Sequence, residues 1–407
     1  MGFKVFLIIF IYGIEARTFQ GDKCTILVNY RDGDLQEPQP LILSHSNKSY
    51  NFLYPQKTTG ELTLNFAEKF ILSCPGKRNF IRGIASLKRT TEIEAVCLRG
   101  TTFVTRGARF DFTSVSCNIL PFHKARSSEY RCYGDSSHIE IGFQLERGFL
   151  PTFKVCRDNE TFTTYYTKYL LSKSIGAYHS GFPRPFNWIS GNFYGKYDIN
   201  SLYKRNSQLE TLTRLLDSER LANKYISGSA FMSRGHLTAK VDFVYGSAQR
   251  STFWYLNAAP QWQQFNGGNW ETLESSVRRF ADRNSLDLIV YTGTHGQMSL
   301  MDENNNPVPI YLYADGDEYA LPVPRFFWKI IYDPERMLGT AFVGVNDPYA
   351  AEITDDMFIC KDIADRVKWL TWQGNNIYKG VSYACSIDDL RLKIPSVPKI
   401  KVNGLLY

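Results

Sequence analysis

Apolar residues are arranged along the chain in two textures. Between about residues 20 and 150 they come in short runs broken by turn residues: "CTILVNY", "LTLNFAEKFILSC", "AVCLRG", "TTFVTRGARFDFTSVSC" and "IEIGFQL". Runs of that length, rich in β-branched and aromatic residues, predict strands. Beyond about residue 155 the texture is mixed. In "SQLETLTRLLDSERLANKYI" the residues Leu209, Leu212, Leu215, Leu216 and Leu221 stand at helical spacing and predict a core-facing stripe. "LTAKVDFVYG" and "STFWYLNAAP" read as strands, and "NWETLESSVRRFADR" reads as a helix with Trp270, Leu273, Val277 and Phe280 on one face. Further strands are predicted in "DLIVYTG", "RFFWKIIYD" and "GTAFVGVND". No internal repeat or low-complexity segment interrupts the pattern.

A chain of 407 residues with 43% hydrophobic and 15% aromatic residues can bury a large core, which excludes a disordered protein. The change of texture divides it into a β-rich part over 17–150 and a mixed part over 155–407. The opening "MGFKVFLIIFIYGIEA" has Lys4, an apolar run from Val5 to Tyr12 and small residues up to Ala16. That run is too short for a stable membrane anchor and reads as a secretory signal peptide over 1–16. The expectation is a secreted, extracellular protein with no membrane attachment once the signal is removed. Eight cysteines, none in a CxxC unit, agree with export and disulfide formation and disfavour a zinc site. Six precede residue 160 and two lie near the C-terminus, so Cys360–Cys385 is the expected local pair. Asn47-Lys48-Ser49 and Asn159-Glu160-Thr161 are glycosylation sequons. The formal charge of +7 favours a polyanionic partner without identifying one. Lys77-Arg78, Lys88-Arg89 and Arg106 to Arg109 read first as solvated surface.

Chemistry concentrates in one window. His236 follows Ser233-Arg234-Gly235, and Asn266, Glu274 and Arg278 follow within about 45 residues. If two strands pair and the helix packs across them, these four side chains converge. Each suits a phosphodiester substrate. A neutral histidine with an ordinary pKa near 6.5 can take a proton from water. An amide oxygen suffices for Mg²⁺, which keeps most of its waters. A carboxylate can hold such a water, and an arginine can clamp a phosphate oxygen. Taken singly, each has a plainer account. His236 alone is a polar residue at a strand end, Asn266-Gly267-Gly268 a helix-entry turn, and Glu274 with Arg278 an i,i+4 surface pair.

"SRGH" followed by "NAAPQWQQFNGGNWETLE" resembles the DNA/RNA non-specific endonucleases with a ββα-metal site. The motif in that family runs Asp-Arg-Gly-His, Asn-x-x-Pro-Gln, Asn-x-Gly-x-Trp, then a glutamate eight residues after the metal-binding asparagine. Asn257, Pro260, Gln261, Asn266, Gly268, Trp270 and Glu274 all match, and Arg278 stands where the family has an arginine. Within the family the phrases are most similar to the secreted arthropod branch, whose members cleave double-stranded RNA or DNA.

The resemblance implies an α+β protein, a ββα-metal endonuclease core with a mixed sheet and flanking helices, preceded by a smaller disulfide-stapled β domain. It implies His236 as general base, Asn266 as the direct ligand of Mg²⁺ (or Mn²⁺), Glu274 acting through water and Arg278 as an anion clamp. Asn257 would support the site and Arg234 would orient the turn or meet phosphate. Arg184 in "FPRPFNW", with Lys240, Arg250 and Arg279, would contact nucleic acid. DNA and RNA would both be partners, held by the phosphate backbone without strong sequence preference. One departure stands out: Ser233 replaces the family's aspartate, and a hydroxyl cannot supply a carboxylate's charge. It is the one support for the alternative, a secreted nucleic-acid-binding protein of this fold with little turnover.

Overall fold

The computed structural model describes residues 23–407 apart from 47–48 and 57–58. The expected signal peptide and the Asn47 of the first sequon lie outside the described residues.

The first part is built on a six-stranded antiparallel sheet. Its order is Ser49–Phe52, Leu41–Ser46, Lys69–Ser73, Glu92–Arg99, Thr102–Thr105 and Ala108–Asp111. Phe70, Phe110 and Phe112 pack around Phe103 in its core, Phe70 edge-on and Phe110 stacked. Cys24–Cys97 and Cys74–Cys117 staple the same core.

The second sheet has eight strands in the order His123–Tyr133, Ser136–Leu145, Gly148–Arg157, Thr164–Leu171, Leu288–His295, Phe326–Asp333, Leu338–Val345 and Ser382–Cys385. Every pairing is antiparallel, where a mixed sheet was expected. Tight turns at 134–135, 146–147 and 334–337 return the chain beside itself, which imposes that direction. The sheet runs across residues 150–155, where the texture of the sequence changes. Cys132–Cys156 and Cys360–Cys385 are paired, the second as expected.

Both faces of this sheet are covered, which is why "RFFWKIIYD" is apolar almost without a break. Phe327 and Ile331 face one core, with Leu273, Val277 and Phe280 of the helix Glu271–Arg283. Trp328 and Ile330 face the other, with Tyr383 and Leu390. Truncating a buried ring such as Phe280 to alanine typically costs about 3–5 kcal/mol, so the helix is held firmly.

Three expectations for local structure are corrected. "LTAKVDFVYG" is not a strand: it holds a single 3-10 turn, Lys240–Asp242, and leads into the helix Gly246–Ser251. Its alternation comes from burial of Leu237, Ala239, Phe243 and Val244 in tertiary contacts rather than from a ladder. In "STFWYLNAAP" the strand begins only at Ala258. The leucine-striped helix is two helices, Arg205–Leu216 and Glu219–Tyr225, parted at Asp217 (φ 47°) and restarted by the Ser218 cap, whose hydroxyl accepts from Leu221 N. Among the described residues no helix is long and apolar enough to cross a membrane.

Candidate active site

The strands Met232–His236 and Ala258–Trp262 pair antiparallel, with Ser233 opposite Gln261 and His236 opposite Ala258. Gly235 is required by close approach, because a Cβ there would lie 2.3 Å from Gln261 Oε1. The helix Glu271–Arg283 follows through Asn266–Trp270, where Gly268 leaves helical geometry (φ −104°, ψ −118°). This ββα arrangement brings the window together. His236, Asn266 and Glu274 line one cavity of about 590 Å³, with Ser233, Arg234, Arg184, Lys240 and Glu271.

Asn257 is wholly buried and acts from behind. Its Oδ1 accepts from Thr238 N at 2.8 Å, and its Nδ2 donates to the carbonyls of Thr238 and Thr252 at 2.9 Å each. It therefore fixes the chain just past His236 and the residue that touches the imidazole. Thr252 donates its hydroxyl proton to Gln249 O at 2.8 Å, so it can only accept from His236 Nε2, at 3.4 Å. That network assigns the proton to Nε2 and leaves the Nδ1 lone pair free. Trp188 and Phe253 wall the ring at centroid distances of 4.5 and 5.0 Å. Burial, then the cations Arg184 and Lys240, push the histidine down to about 3. The direction favours the neutral ring.

Asn266 donates Nδ2 to Ser233 Oγ at 3.0 Å, which leaves its carbonyl oxygen as the atom available to a cation. Glu271 and Glu274 share the wall, and burial pushes the Glu274 carboxyl up, partly offset by Lys329. Among the described residues no group of three or more His, Cys, Asp or Glu is placed to hold a metal ion. An all-oxygen set of one amide and two carboxylates, one of them strained by burial, fits a hard divalent cation that keeps waters.

Three expected contacts stand away from the cavity wall. Arg278 does not face it: Nη1 donates to Asp242 Oδ1 at 2.8 Å and Nη2 to Ser275 Oγ at 3.0 Å, in a buried pair. Its field reaches Glu274 while the ion pair with Asp242 holds the guanidinium behind the wall. Arg250 is half-buried beside His123, and Arg279 bonds Ser276 Oγ and Thr371 on the outer side of the helix. Arg234 lines the cavity while bonded to Tyr255 Oη (3.0 Å) and Asn200 Oδ1 (3.1 Å). Arg184 and Lys240 do reach it, and neither joins an ion pair among the described residues. Lys240 Nζ donates to the Phe182 carbonyl.

Sequence reasoning missed the aromatic walls and the layer behind Glu274. There Asp242 accepts from Tyr169 and Arg278, and the buried Lys329 donates to Thr292 Oγ1 at 2.7 Å, 5.7 Å from the Trp270 ring. A lone lysine inside the apolar run "RFFWKIIYD" was the available signal. A second cavity of about 610 Å³ lies on the six-stranded sheet, where Lys69, Arg106 and Arg147 are balanced by Glu92, Glu94 and Glu146. No histidine lines it.

Residues 134–390 match the family model described as DNA/RNA non-specific endonuclease. A salivary endonuclease of Lutzomyia longipalpis is 27% identical, over 97% of this chain and 90% of that protein. The salivary protein Tsal2A of Glossina morsitans morsitans is 24% identical, over 93% and 94%. Among solved structures, a chain of the EndoG/EndoGI complex is 14% identical, covers 62% of this chain and 87% of that one, and overlaps loosely at a TM-score of 0.34.

Proposed function

The chain belongs to the DNA/RNA non-specific endonuclease family and is a nuclease, and from that premise we propose that it hydrolyses DNA and RNA backbones, duplexes included, at the cavity around His236. The observation that carries this reading is the meeting of a neutral imidazole, two unpaired cations and an oxygen donor set in one cavity. Arg184 and Lys240 repel each other, since Arg184 depresses Lys240 after burial does. A phosphodiester is the complement of that arrangement.

In the proposed mechanism Arg184 and Lys240 seat the phosphate. Their charge is then offset, and of the three causes that depress His236 only burial remains. His236 Nδ1 takes the proton of the attacking water, while Thr252 keeps Nε2 in place. Asn266 would hold a divalent cation, Mg²⁺ or Mn²⁺, with Glu271 and Glu274 near it, and when bound that cation offsets charge on the phosphate and its leaving oxygen. Trp188 and Phe253 keep bulk water from the imidazole. Arg278 acts as a positioning residue, holding Asp242 and setting the field at Glu274. The products are proposed to carry 5′-phosphate and 3′-hydroxyl ends. Contacts through phosphate carry no base information, so strong sequence preference is not expected.

The salivary relatives, the four disulfides and the apolar opening of the chain support secretion as part of this reading. Asn159 of the second sequon lies on an exposed turn, open to glycosylation. We also place the division between the two parts ahead of His123, because strands on both sides of residue 150 share one sheet. The alternative of a binder without turnover is not favoured: Ser233, its one support, has a place in the site as the hydroxyl that holds Asn266. Incubating plasmid DNA and duplex RNA with Mg²⁺, and in parallel with chelator, tests the proposal. Metal-dependent cutting of both is expected, and intact substrate with retained gel-shift binding would favour the binder.

A further inference from the structure

The segment Phe182–Trp188, "FPRPFNW", forms an arch on the rim of the cavity. It is pinned at both ends. Phe182 is buried, 4.8 Å from the Tyr30 ring of the first part, and a Cβ on Gly246 would lie 2.2 Å from it. Trp188 packs on His236, and the next residue, Ile189, bonds through its backbone to Phe253 and Tyr255. Between the pins, Pro183 and Pro185 fix their own φ and hold Phe182 and Arg184 out of helical geometry. A flexible loop would fold a phenyl ring back onto the protein. This stiffened arch instead leaves Phe186 105% exposed, the most exposed large apolar side chain among the described residues. A scattered exposed apolar residue is ordinary. This one lines the cavity that contains His236, two positions from the unpaired Arg184.

We propose that Phe186 is a nucleobase platform: its ring stacks on the base of a nucleotide next to the scissile phosphate while Arg184 takes the phosphate. Arg184 and Phe186 both line the cavity, and two residues of chain separate their backbones by at most about 7 Å, a span suited to the phosphate and base of one nucleotide. Stacking is tolerant of sequence because every base has a π face, so the platform adds affinity without adding base preference. The arch would then favour single strands and duplex steps that unstack readily. The inference rests on the nuclease reading of the same cavity.

The test uses a single-stranded oligonucleotide carrying 2-aminopurine, and a matched duplex, with the full-length protein and its Phe186→Ala, Phe186→Leu and Phe186→Trp variants. Phe186 is fully exposed, so these substitutions leave the fold untouched. Binding to the wild type is expected to quench the 2-aminopurine, and Phe186→Ala to lose the quench and raise KM about tenfold, more than it lowers kcat. Phe186→Trp is expected to restore both, and Phe186→Leu to behave as alanine. An unchanged quench and KM in Phe186→Ala would overturn the proposal, as would a leucine variant equal to wild type, which would make Phe186 an apolar wedge. The fluorescence is read without turnover. A protein that binds and quenches but does not cut would therefore count against the nuclease reading and leave the platform standing.

Discussion

Ser233 Oγ accepts from Asn266 Nδ2 at 3.0 Å and donates its own proton to the Gln261 carbonyl at 2.9 Å. One hydroxyl thus ties the paired strands to the entry of the helix and turns the Asn266 amide so that its oxygen is the atom left for a cation. Aspartate at this position could accept from the amide but, ionised, could not donate to Gln261. Ser233→Ala is expected to free Asn266, to slow cleavage about fivefold and to raise the Mg²⁺ concentration for half-maximal rate, consistent with the loss of one hydrogen bond of about 1 kcal/mol. Wild-type metal dependence in the alanine variant would remove Ser233 from the site.

Asn266→Ala removes the oxygen that the proposed site offers to a cation and leaves both carboxylates. Cleavage is expected to fall by at least about 100-fold, whereas Asn266→Asp keeps an oxygen and retains part of the rate. Titrating Mn²⁺ against both variants distinguishes lost binding from lost chemistry. Full activity of the alanine variant in chelator would end the metal assignment.

The motif window was the legible part of the chain. The matched motif, rather than spacing alone, pointed to His236, Asn266 and Glu274 as one site, and all three line one cavity; the hairpin that brings them there is Met232–His236 with Ala258–Trp262, not the expected strand in "LTAKVDFVYG". Arg278 was not legible in the same way. Its place on the helix follows from the four-residue offset to Glu274, but its partner Asp242 comes from a segment whose alternation mimicked a strand. The aromatic wall that half-buries His236 was likewise invisible, since Trp188 arrives from 48 positions upstream, through an arch braced against the first part of the chain. The eight-stranded sheet hid its own start: "IEIGFQL" has the same local pattern whichever sheet it joins.

His123 and His179 are buried, and each is pushed down to about 4, chiefly by burial. His179 accepts from Gly246 N at 3.1 Å and its Nε2 donates to Val28 O at 2.6 Å, joining the first part to the second. An unfolded histidine titrates near 6.5, so between pH 6.5 and 4 the unfolded chain binds the extra protons. Stability is therefore intact above about pH 6.5 and lost as pH falls toward 4, by about 2 kcal/mol per histidine between pH 7 and 5. Urea unfolding at those two pH values should show a drop that shrinks by about that amount in His179→Gln. An equal drop in the variant would mean that His179 is charged in the folded protein.

His236→Ala leaves Arg184, Lys240 and Asn266 in place, so it is expected to bind duplex nucleic acid while cutting it about 10²- to 10⁴-fold more slowly. Gel shift and cleavage on the same preparation, with circular dichroism as the check on folding, separate the two functions. The pH dependence follows from the environment of the ring. With its pKa at about 3, the free protein holds His236 neutral throughout the physiological range. Because kcat/KM reports the free enzyme, its profile should carry no histidine step near 6.5. Seating a phosphate offsets Arg184 and Lys240, which raises the basicity of Nδ1 and moves the acid limb of kcat to higher pH than that of kcat/KM. Glu274, pushed up by its own burial, also titrates on this cavity, so the rate profile needs an independent reading of the imidazole. The ring-proton resonance of His236, assigned by its absence in His236→Ala, supplies it. The resonance should stay at its neutral position from pH 8 to 5 in the free protein and be displaced when a non-cleavable oligonucleotide binds. A midpoint near 6.5 in the free protein would mean that the ring is open to water and that its aromatic walls and cations do not set its charge.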